Sequence, residues 1–296
     1  MDIRTAKVGF CIGISRAYRG MNERALEDSP FQVAHQNSGG KFDTLRRIER
    51  GDPDLLSRYP GLEKASVAYD VSTLEKGDRL VIGFHGLRTD VKDALTARGV
   101  TMLDDLICPF IAKLDRVVER LVTQGFDIAI VGTKDNHHCR TAHELAERHG
   151  RRCFVIEKPE DIDAVACTED RPVALVGQVT GNTVTFKEVI ERIHASDTPM
   201  KIVKTMCSDS HSRQNIATEL AREADLVILF DDGGGAAQSV FEVCTRFNTR
   251  VHRVSAKEEI RVEWLDGADS VAVIGGILVP EWSIEDMAQH IREMRP

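Results

Sequence analysis

Three cysteines recur at nearly equal intervals along the chain, and they constrain its fold more than any other feature. Cys11, Cys108 and Cys207 are separated by 97 and 99 positions in a chain of 296 residues. Each follows an apolar run typical of a β-strand and precedes a run typical of an α-helix. The strand-like runs are 7–10, 100–107 and 200–206, and the helix-like runs are 14–21, 110–124 and 212–223. The pattern predicts three copies of one strand–cysteine–helix unit.

Each cysteine is followed at the same distance by a polar loop. Twenty-four positions beyond the cysteines stand His35, Gly132 and Asp231, each at the end of a second apolar run. Each third then has another short apolar run that ends in glycine, followed by a helix-like segment. These runs are 80–83, 174–177 and 272–275, and the segments are 90–98, 185–193 and 283–294. The alternation predicts an α/β fold with parallel sheets, whose ligands bind beyond the carboxyl ends of the strands.

The cysteines stand at positions that suit metal ligands. A helix N-terminus favours a thiolate, so three thiolates, one from each repeat, could meet at one metal centre and leave a coordination position open. Thiolates select zinc, copper(I) or iron–sulfur clusters. Zinc sites usually use close cysteine pairs, which this chain lacks, so isolated cysteines favour an iron–sulfur cluster, with zinc as the alternative. A different interpretation makes them buried core thiols of three ordinary α/β units.

Composition limits the classes of partner. The formal net charge of −8 argues against a nucleic-acid-binding surface. No apolar stretch has the length of a membrane span, and residues 1–7 lack the apolar core of a signal peptide. We therefore expect a cytoplasmic protein with no membrane partner. In that compartment the seven cysteines are expected to be thiols or metal ligands and not disulfides.

Motifs along nearly the whole chain resemble those of one family. The opening Gly9-Phe-Cys-Ile-Gly-Ile-Ser-Arg-Ala17 resembles the G-F-C-x-G-[VI]-x-R-A segment of the LytB family, the hydroxymethylbutenyl diphosphate reductases of isoprenoid synthesis. Four further matches follow in the family's order: His85-Gly86, Cys108-Pro109 with Lys113, Gln178-Val-Thr180, and Cys207-Ser-Asp-Ser-His-Ser-Arg-Gln214. The nine-residue opening is the most specific of these motifs.

The resemblance implies a three-lobed (trefoil) α/β fold with pseudo-threefold symmetry around a [4Fe–4S] cluster. Cys11, Cys108 and Cys207 would be its ligands, leaving one iron without a cysteine. The family reaction adds two electrons and protons and removes an allylic hydroxyl bound at that iron, with a ferredoxin- or flavodoxin-type electron donor. The predicted lobes are 14–108, 109–204 and 205–282, the last joined by an N-terminal strand at 1–13, and a C-terminal helix covers 283–296.

The chain departs from the family where the substrate's diphosphate is held. The family's S-S-N motif falls on Gly235-Ala236-Ala237, its late serine falls on Leu278, and its H-P-E motif falls on Asn136-His137-His138. In the first loop, the expected H-N is replaced near Gly39-Gly40. A buried diphosphate needs several hydrogen-bond donors, and glycine, alanine and leucine side chains provide none. We therefore predict a small hydroxylated substrate that lacks diphosphate.

His138 and His85 are the predicted catalytic residues. His138 takes the place of the family's proton-relaying glutamate, and histidine titrates near neutral pH, so it is the candidate proton donor. The alternative roles are a solvated loop histidine for His138 and a capping or packing histidine for His85. The predicted substrate-binding residues are polar side chains from the three polar loops and the segments around them: Asn136, Thr180, Ser210, His35, Gln178 and Asp231. Turn and N-cap roles are the simpler alternatives.

Four functions remain open at this point. The first is a cluster-dependent reductase or dehydratase with an altered small-molecule substrate. The second is a genuine hydroxymethylbutenyl diphosphate reductase with a rebuilt pocket. The third is a non-catalytic iron–sulfur sensor, and the fourth is a zinc-dependent hydrolytic enzyme. The polar, histidine-rich loops favour the first, because a sensor needs no such pocket.

Overall fold

The fold consists of three separate parallel β-sheets with helices around them. A computed structural model describes residues 1–6, 9–27, 31–34, 44–87, 89–196 and 198–294. The strands are β1 (Asp2–Thr5), β2 (Phe31–Ala34), β3 (Ala65–Ala68), β4 (Arg79–Val81), β5 (Thr101–Leu103), β6 (Asp127–Val131), β7 (Cys153–Ile156), β8 (Val173–Gly177), β9 (Lys201–Ile202), β10 (Leu226–Phe230), β11 (Val251–Val254) and β12 (Ser270–Gly275). The helices are α1 (Ile12–Glu27), α2 (Thr44–Glu49), α3 (Pro53–Arg58), α4 (Thr89–Ala97), α5 (Pro109–Thr123), α6 (His137–Arg148), α7 (Thr183–Ala195), α8 (Ser208–Glu223), α9 (Gly235–Thr245) and α10 (Glu281–Met294).

Each sheet has four strands, and the three sheets share one topology. Their strand orders are β3-β2-β4-β5, β7-β6-β8-β9 and, from the corresponding edge, β11-β10-β12-β1. All strand pairings are parallel. The N-terminal strand β1 therefore completes the last sheet, with Ile3 opposite Val271. The predicted parallel α/β class with three lobes is confirmed. The strands of each sheet fall within the corresponding predicted lobe, whereas the exact lobe boundaries stay a prediction.

Central strands form the core of each lobe. β6, β8 and β10 are buried along their whole length, because helices cover both faces of each sheet and both faces must be apolar. On the last sheet, Ile284, Met287 and Ile291 of α10 pack against Val271 and Val273. Their spacing of three and four residues places them on one helix face. Packing of this kind holds the helices in position around the strand ends.

The strands that precede the cysteines are shorter than predicted. The run 100–107 contains only β5, the run 200–206 contains only β9, and Phe10 lies in a bend, while residues 7 and 8 lie outside the described part. Each of these runs leaves its sheet to cross to the next lobe, so its later residues have no neighbouring strand to pair with. The predicted strands at 31–34 and 226–230 match β2 and β10.

No helix in the described part of the chain is both long and apolar enough to cross a membrane.

Candidate functional site

Three helices begin at the three cysteines. Cys108 and Cys207 are the N-cap residues of α5 and α8, and Cys11 directly precedes α1. The sulfur of Cys11 lies 3.5 Å from the backbone N–H of Ile14, and backbone N–H groups of Asp209 and Ser210 donate to the sulfur of Cys207. Free N–H groups at a helix start favour negative charge, so each sulfur is placed where a thiolate ligand is stabilised.

A backbone hydrogen bond of the same kind holds each of the three cysteines. The backbone N–H of Cys108 donates to the Phe84 carbonyl (2.9 Å), that of Cys207 to the Val179 carbonyl (2.8 Å), and that of Cys11 to the Ile277 carbonyl (3.2 Å). All three acceptors lie in the loop that follows the third strand of a repeat. The same hydrogen bond thus occurs three times, and it places the cysteines at the lobe junctions.

Contacts around Gly13 show that the sulfurs are close neighbours. A side-chain carbon added at Gly13 would lie 3.1 Å from the Cys108 sulfur and 3.8 Å from the Cys11 sulfur. Cys108 also raises the pKa of both Cys11 and Cys207 through charge repulsion, so it lies near both of them. We call Cys11, Cys108 and Cys207 the cysteine trio. Its close approach to the α1 backbone favours glycine at position 13, since a larger residue would force the Cys108 side chain to move.

Burial changes the expected acidity of these thiols. Loss of water raises the pKa of Cys11 to about 12, although the Ile14 N–H and the charge of Arg213 both lower it. Burial likewise raises the pKa of Cys207 against the effect of its backbone donors. The helix-end N–H groups therefore lower the pKa of Cys11 and Cys207 in the expected direction, while desolvation is the larger effect. A metal centre that displaces the thiol proton would reverse this balance.

The cysteine trio fits an iron–sulfur cluster. Within the described residues, no group of three or more histidine, cysteine, aspartate or glutamate side chains is arranged to hold a single metal ion. Thiolates that hold a four-iron cluster bind separate irons, so they need not share the coordination sphere of one ion. The three sulfurs lie at the lobe junctions, with Cys108 and Cys207 buried and Cys11 partly buried, and two of them accept backbone N–H groups, which satisfies that requirement.

Three histidine rings pack against one another beside this junction, in tilted and edge-on arrangements. The ring centroids of His85 and His137 are 4.9 Å apart, those of His137 and His138 are 4.0 Å apart, and His85 packs on Phe84 at 3.9 Å. We call His85, His137 and His138 the histidine group. His138 is 4 % exposed, and neither of its ring nitrogens has a hydrogen-bond partner among the described residues. The Nε2 atom of His137 is also buried and without a partner within that part of the chain.

The histidine group is neutral at pH 7. Burial lowers the pKa of His85 to about 3 and that of His137 to about 4, and it lowers the pKa of His138 well below 6.5. The neighbouring imidazoles lower the pKa of His85 and His138 further. Each ring therefore offers one N–H donor and one acceptor, without a positive charge.

Asn136 and Gln178 line the same region. The Asn136 side-chain oxygen accepts the His138 backbone N–H (2.9 Å) and thereby caps the start of α6. The capping role named as the simpler alternative for Asn136 is therefore present. A side-chain carbon at Gly235 would lie 3.0 Å from Asn136 Nδ2 and 3.9 Å from Gln178 Nε2. Gln178 is 1 % exposed, and its Oε1 accepts the Thr133 N–H (2.9 Å). The middle and third lobes therefore meet at these two amides.

Two further residues predicted to bind substrate, Ser210 and Thr180, lie in the described part of the chain. Ser210 is buried, its hydroxyl is 3.3 Å from Gln214 Nε2, and its backbone faces the Cys207 sulfur. Thr180 lies on the turn after β8, and its carbonyl accepts the Ser239 hydroxyl (3.0 Å). His35 lies outside the described residues.

Asp231 and Asp232 each bind one N–H group of their own loop and one partner outside it. Asp231 forms an ion pair with Arg253, and its Oδ1 accepts the Gly233 N–H (2.8 Å). Asp232 is fully buried; its Oδ1 accepts the Gly234 N–H and its Oδ2 accepts the Leu278 N–H, both at 2.8 Å. Burial raises the pKa of Asp232, while those N–H donors lower it. Asp231 was predicted to bind substrate, and the structure shows its carboxylate bound to Arg253.

Two site residues carried little signal in the sequence. His137 falls on the proline of the family's H-P-E motif, yet its ring packs against those of His85 and His138. Arg213 donates to Asp209 (2.9 Å) and to the Gly9 carbonyl (2.7 Å), and its Nη1 is buried with no partner in the described structure. The helical spacing of Asp209 and Arg213 indicated their ion pair. Nothing local indicated the bond to Gly9, which lies 204 positions away.

Comparisons with known proteins agree with this architecture. The family model described as LytB protein matches residues 3–292. Two relatives named 4-hydroxy-3-methylbut-2-enyl diphosphate reductase, from Aquifex aeolicus and Geobacter sulfurreducens, are each 27% identical over 296 residues. These alignments cover 99% of this chain and 97% and 98% of the relatives, respectively.

Solved structures show the same fold. The E-1-hydroxy-2-methyl-but-2-enyl-4-diphosphate reductase from Plasmodium falciparum has a TM-score of 0.80 at 15% identity, covering 97% of this chain and 87% of that one. A structure of (E)-4-hydroxy-3-methyl-but-2-enyl diphosphate reductase has a TM-score of 0.59 at 24% identity, covering 99% and 100%. Because the family match spans nearly the whole chain, this protein belongs to the LytB family of iron–sulfur oxidoreductases, as its motifs predicted.

Proposed function

We propose that this protein is a [4Fe–4S]-dependent reductase or dehydratase of the LytB type that removes a hydroxyl, or a similar leaving group, from a small substrate without diphosphate. The observation that supports a substrate without diphosphate is the burial of apolar residues at the positions of the family's phosphate donors. Ala236 and Ala237 are buried in the first turn of α9, and Leu278 is 5 % exposed. Side chains of this kind cannot offset the desolvation of a diphosphate.

The cysteine trio would hold the cluster, with one iron left free of cysteine. A cluster bound in this way supplies electrons and a Lewis acid for the leaving group. The chain's own residues would position the substrate and move the protons. His138 is the proposed proton donor, with His85 and His137 packed nearby, because its buried ring nitrogens lack partners within the described residues. Since burial lowers its pKa well below 6.5, His138 would first have to take up a proton when the cluster and the substrate are bound.

Amide and hydroxyl side chains would orient the substrate. Asn136 and Gln178 are fixed by backbone contacts through their oxygens, and Asn136 Nδ2 is directed toward the third lobe at Gly235. Ser210 and Thr180 are proposed to bind substrate or the leaving water, and the predicted role of His35 stays a proposal. A substrate with several hydroxyl or carbonyl groups would complement this set. A reductive reaction would also require a ferredoxin- or flavodoxin-type electron donor.

The test is turnover of hydroxymethylbutenyl diphosphate by protein purified without oxygen, with iron and sulfide measured and reduced viologen as electron source. We expect an intact cluster and no consumption of that compound. Consumption at a typical enzymatic rate would establish the alternative, a genuine diphosphate reductase with a rebuilt pocket. Zinc without sulfide would instead favour a hydrolytic enzyme. With a loaded cluster, small hydroxylated compounds without phosphate are then screened as substrates.

A further inference from the structure

A positively charged side chain on the helix after each cysteine reaches the backbone that leads to the next cysteine of the trio. Three hydrogen bonds of this kind occur: Arg16 Nη2 donates to the Asp105 carbonyl (2.9 Å), Lys113 Nζ to the Lys204 carbonyl (3.2 Å), and Arg213 Nη2 to the Gly9 carbonyl (2.7 Å). Each donor lies five or six positions after one cysteine, and each acceptor lies two or three positions before the next, with Cys11 taken as the one that follows Cys207. We call Arg16, Lys113 and Arg213 the junction cations.

These bonds fix each cysteine relative to the next one. The three acceptors follow β5, β9 and β1, which are edge strands of the three sheets. In each of these segments the backbone has left its sheet, so a carbonyl there needs a donor from elsewhere. The junction cations supply that donor, and each ties the helix that begins at one cysteine to the backbone that carries another.

The bonds to neutral carbonyls leave the charges of Arg16 and Lys113 uncancelled. Neither side chain forms an ion pair with a described residue, and the Asp105 carboxylate pairs with Arg24 instead. Both side chains are exposed, so water and salt screen their charges. These two cations therefore favour negative charge at the cysteine trio, but only weakly.

Arg213 is the junction cation that acts most strongly on the cysteines. It is 5 % exposed, and its Nη1 is buried without a partner in the described part of the chain. Burial is the main cause that raises the pKa of Cys11; among the neighbouring charges, Arg213 lowers that pKa by more than Asp209 raises it. A buried donor without an acceptor is unfavourable, and the sulfurs of an iron–sulfur cluster accept N–H groups of this kind.

We propose that the junction cations are positioning residues for the iron–sulfur cluster, which fix the separation of its three cysteines and raise its reduction potential, Arg213 most of all. A cluster gains negative charge when it accepts an electron, so a nearby cation or N–H donor stabilises the reduced form. The inference rests on the proposed function because it takes the cysteine trio as the cluster site. It adds three residues to which that function assigns no role.

The midpoint potential of the cluster tests this without substrate. It is measured by reductive titration of protein purified without oxygen, followed by electron paramagnetic resonance, with iron and sulfide determined in parallel. Arg213→Met keeps a long side chain but removes the charge and the donors, so it should favour the oxidised cluster at least ten-fold, which lowers the midpoint by about 59 mV. Arg213→Lys keeps the charge and should recover most of that shift.

Two further variants complete the experiment. Arg16→Met combined with Lys113→Met should lower the midpoint by a smaller amount, because both charges are screened. The control is Arg250→Met. Arg250 Nη2 also donates to backbone carbonyls, those of Trp264 and Asp266, but it lies at the amino end of β11, whereas the loops that hold the cysteine trio follow the carboxyl ends of strands. Its replacement should leave the midpoint unchanged.

The outcomes separate this inference from the proposed function. An unchanged midpoint in Arg213→Met with full iron and sulfide would overturn the inference and leave the proposed function intact, and so would an equal shift in Arg250→Met. If Arg213→Met is folded by circular dichroism but binds no cluster, the Arg16 and Lys113 double variant decides, and an unchanged midpoint there refutes the inference. Absence of iron and sulfide from the original chain would refute the proposed function and this inference with it.

Discussion

Replacing His138 by leucine should make the protein more stable and less active. His138 is 4 % exposed, and both ring nitrogens lack partners in the described part of the structure. A buried polar group without a partner costs about 1–3 kcal/mol, and the neutral ring contains two such groups. Leucine removes both, whereas loss of the ring contact with His137 costs about 0.5–1.5 kcal/mol. The two groups together cost about 2–6 kcal/mol, so the expected net gain in unfolding free energy is about 0.5–5.5 kcal/mol.

Thermal and guanidinium unfolding of the cluster-free protein at pH 7.5 measures this gain. For a chain of this size each kcal/mol shifts Tm by about 2 °C, so His138→Leu should raise Tm by about 1–11 °C. The matched control is His143→Leu on the same helix. Its side chain is 49% exposed and pairs with Glu147 at 3.5 Å, so its effect should stay within about 0.5 kcal/mol.

The opposite stability result would refute the reasoning. If His138→Leu lowers the unfolding free energy by more than 1 kcal/mol, by order of magnitude, the ring nitrogens have partners in the folded protein and the residue is structural. A rise in stability together with a loss of turnover is the pattern expected where a buried polar group is retained for function.

The remaining predictions concern pH, the cysteines and Gly13. Below pH 6.5 the unfolded chain protonates His138 while the folded chain keeps it neutral, so the unfolding free energy decreases as pH is lowered, by about 1.4 kcal/mol per pH unit for one proton. This slope should be smaller in His138→Leu, and equal slopes for the two proteins in denaturant titrations would contradict the prediction. Replacing any one cysteine of the cysteine trio by serine should abolish bound iron and sulfide, whereas the control Cys167→Ser should retain both. Full iron content in a variant of the cysteine trio would exclude that cysteine as a ligand. Gly13→Ala places a methyl group 3.1 Å from the Cys108 sulfur and should lower iron content, whereas Gly83→Ala, with its nearest atom at 4.0 Å, should not.

Much of the architecture could be predicted from the sequence because the same sequence features recur in each third of the chain. The cysteines, the apolar strands at β2, β6, β8 and β10, and the glycine that ends each third run recur at fixed spacing. Parallel central strands must be apolar on both faces, so they stand out in a sequence. The helices α6 and α9 were missed because their polar or glycine-rich first turns resemble loops. The buried Ala142, Leu145 and Ala146 of α6 were the available helical signal.

The sequence by itself predicted the repeat, the three cysteines proposed as cluster ligands, the family, and the apolar side chains at positions where the family has polar ones. These features are local patterns of residue type, and they can be recognised without knowledge of contacts. Only the tertiary structure decided the partners of the charged and buried groups. The bond of Asp232 to Leu278 spans 46 positions and that of Arg213 to Gly9 spans 204, so no local pattern contains them. The same is true of the neutral state of the histidine group, because desolvation depends on which lobes cover a side chain and not on its neighbours in sequence.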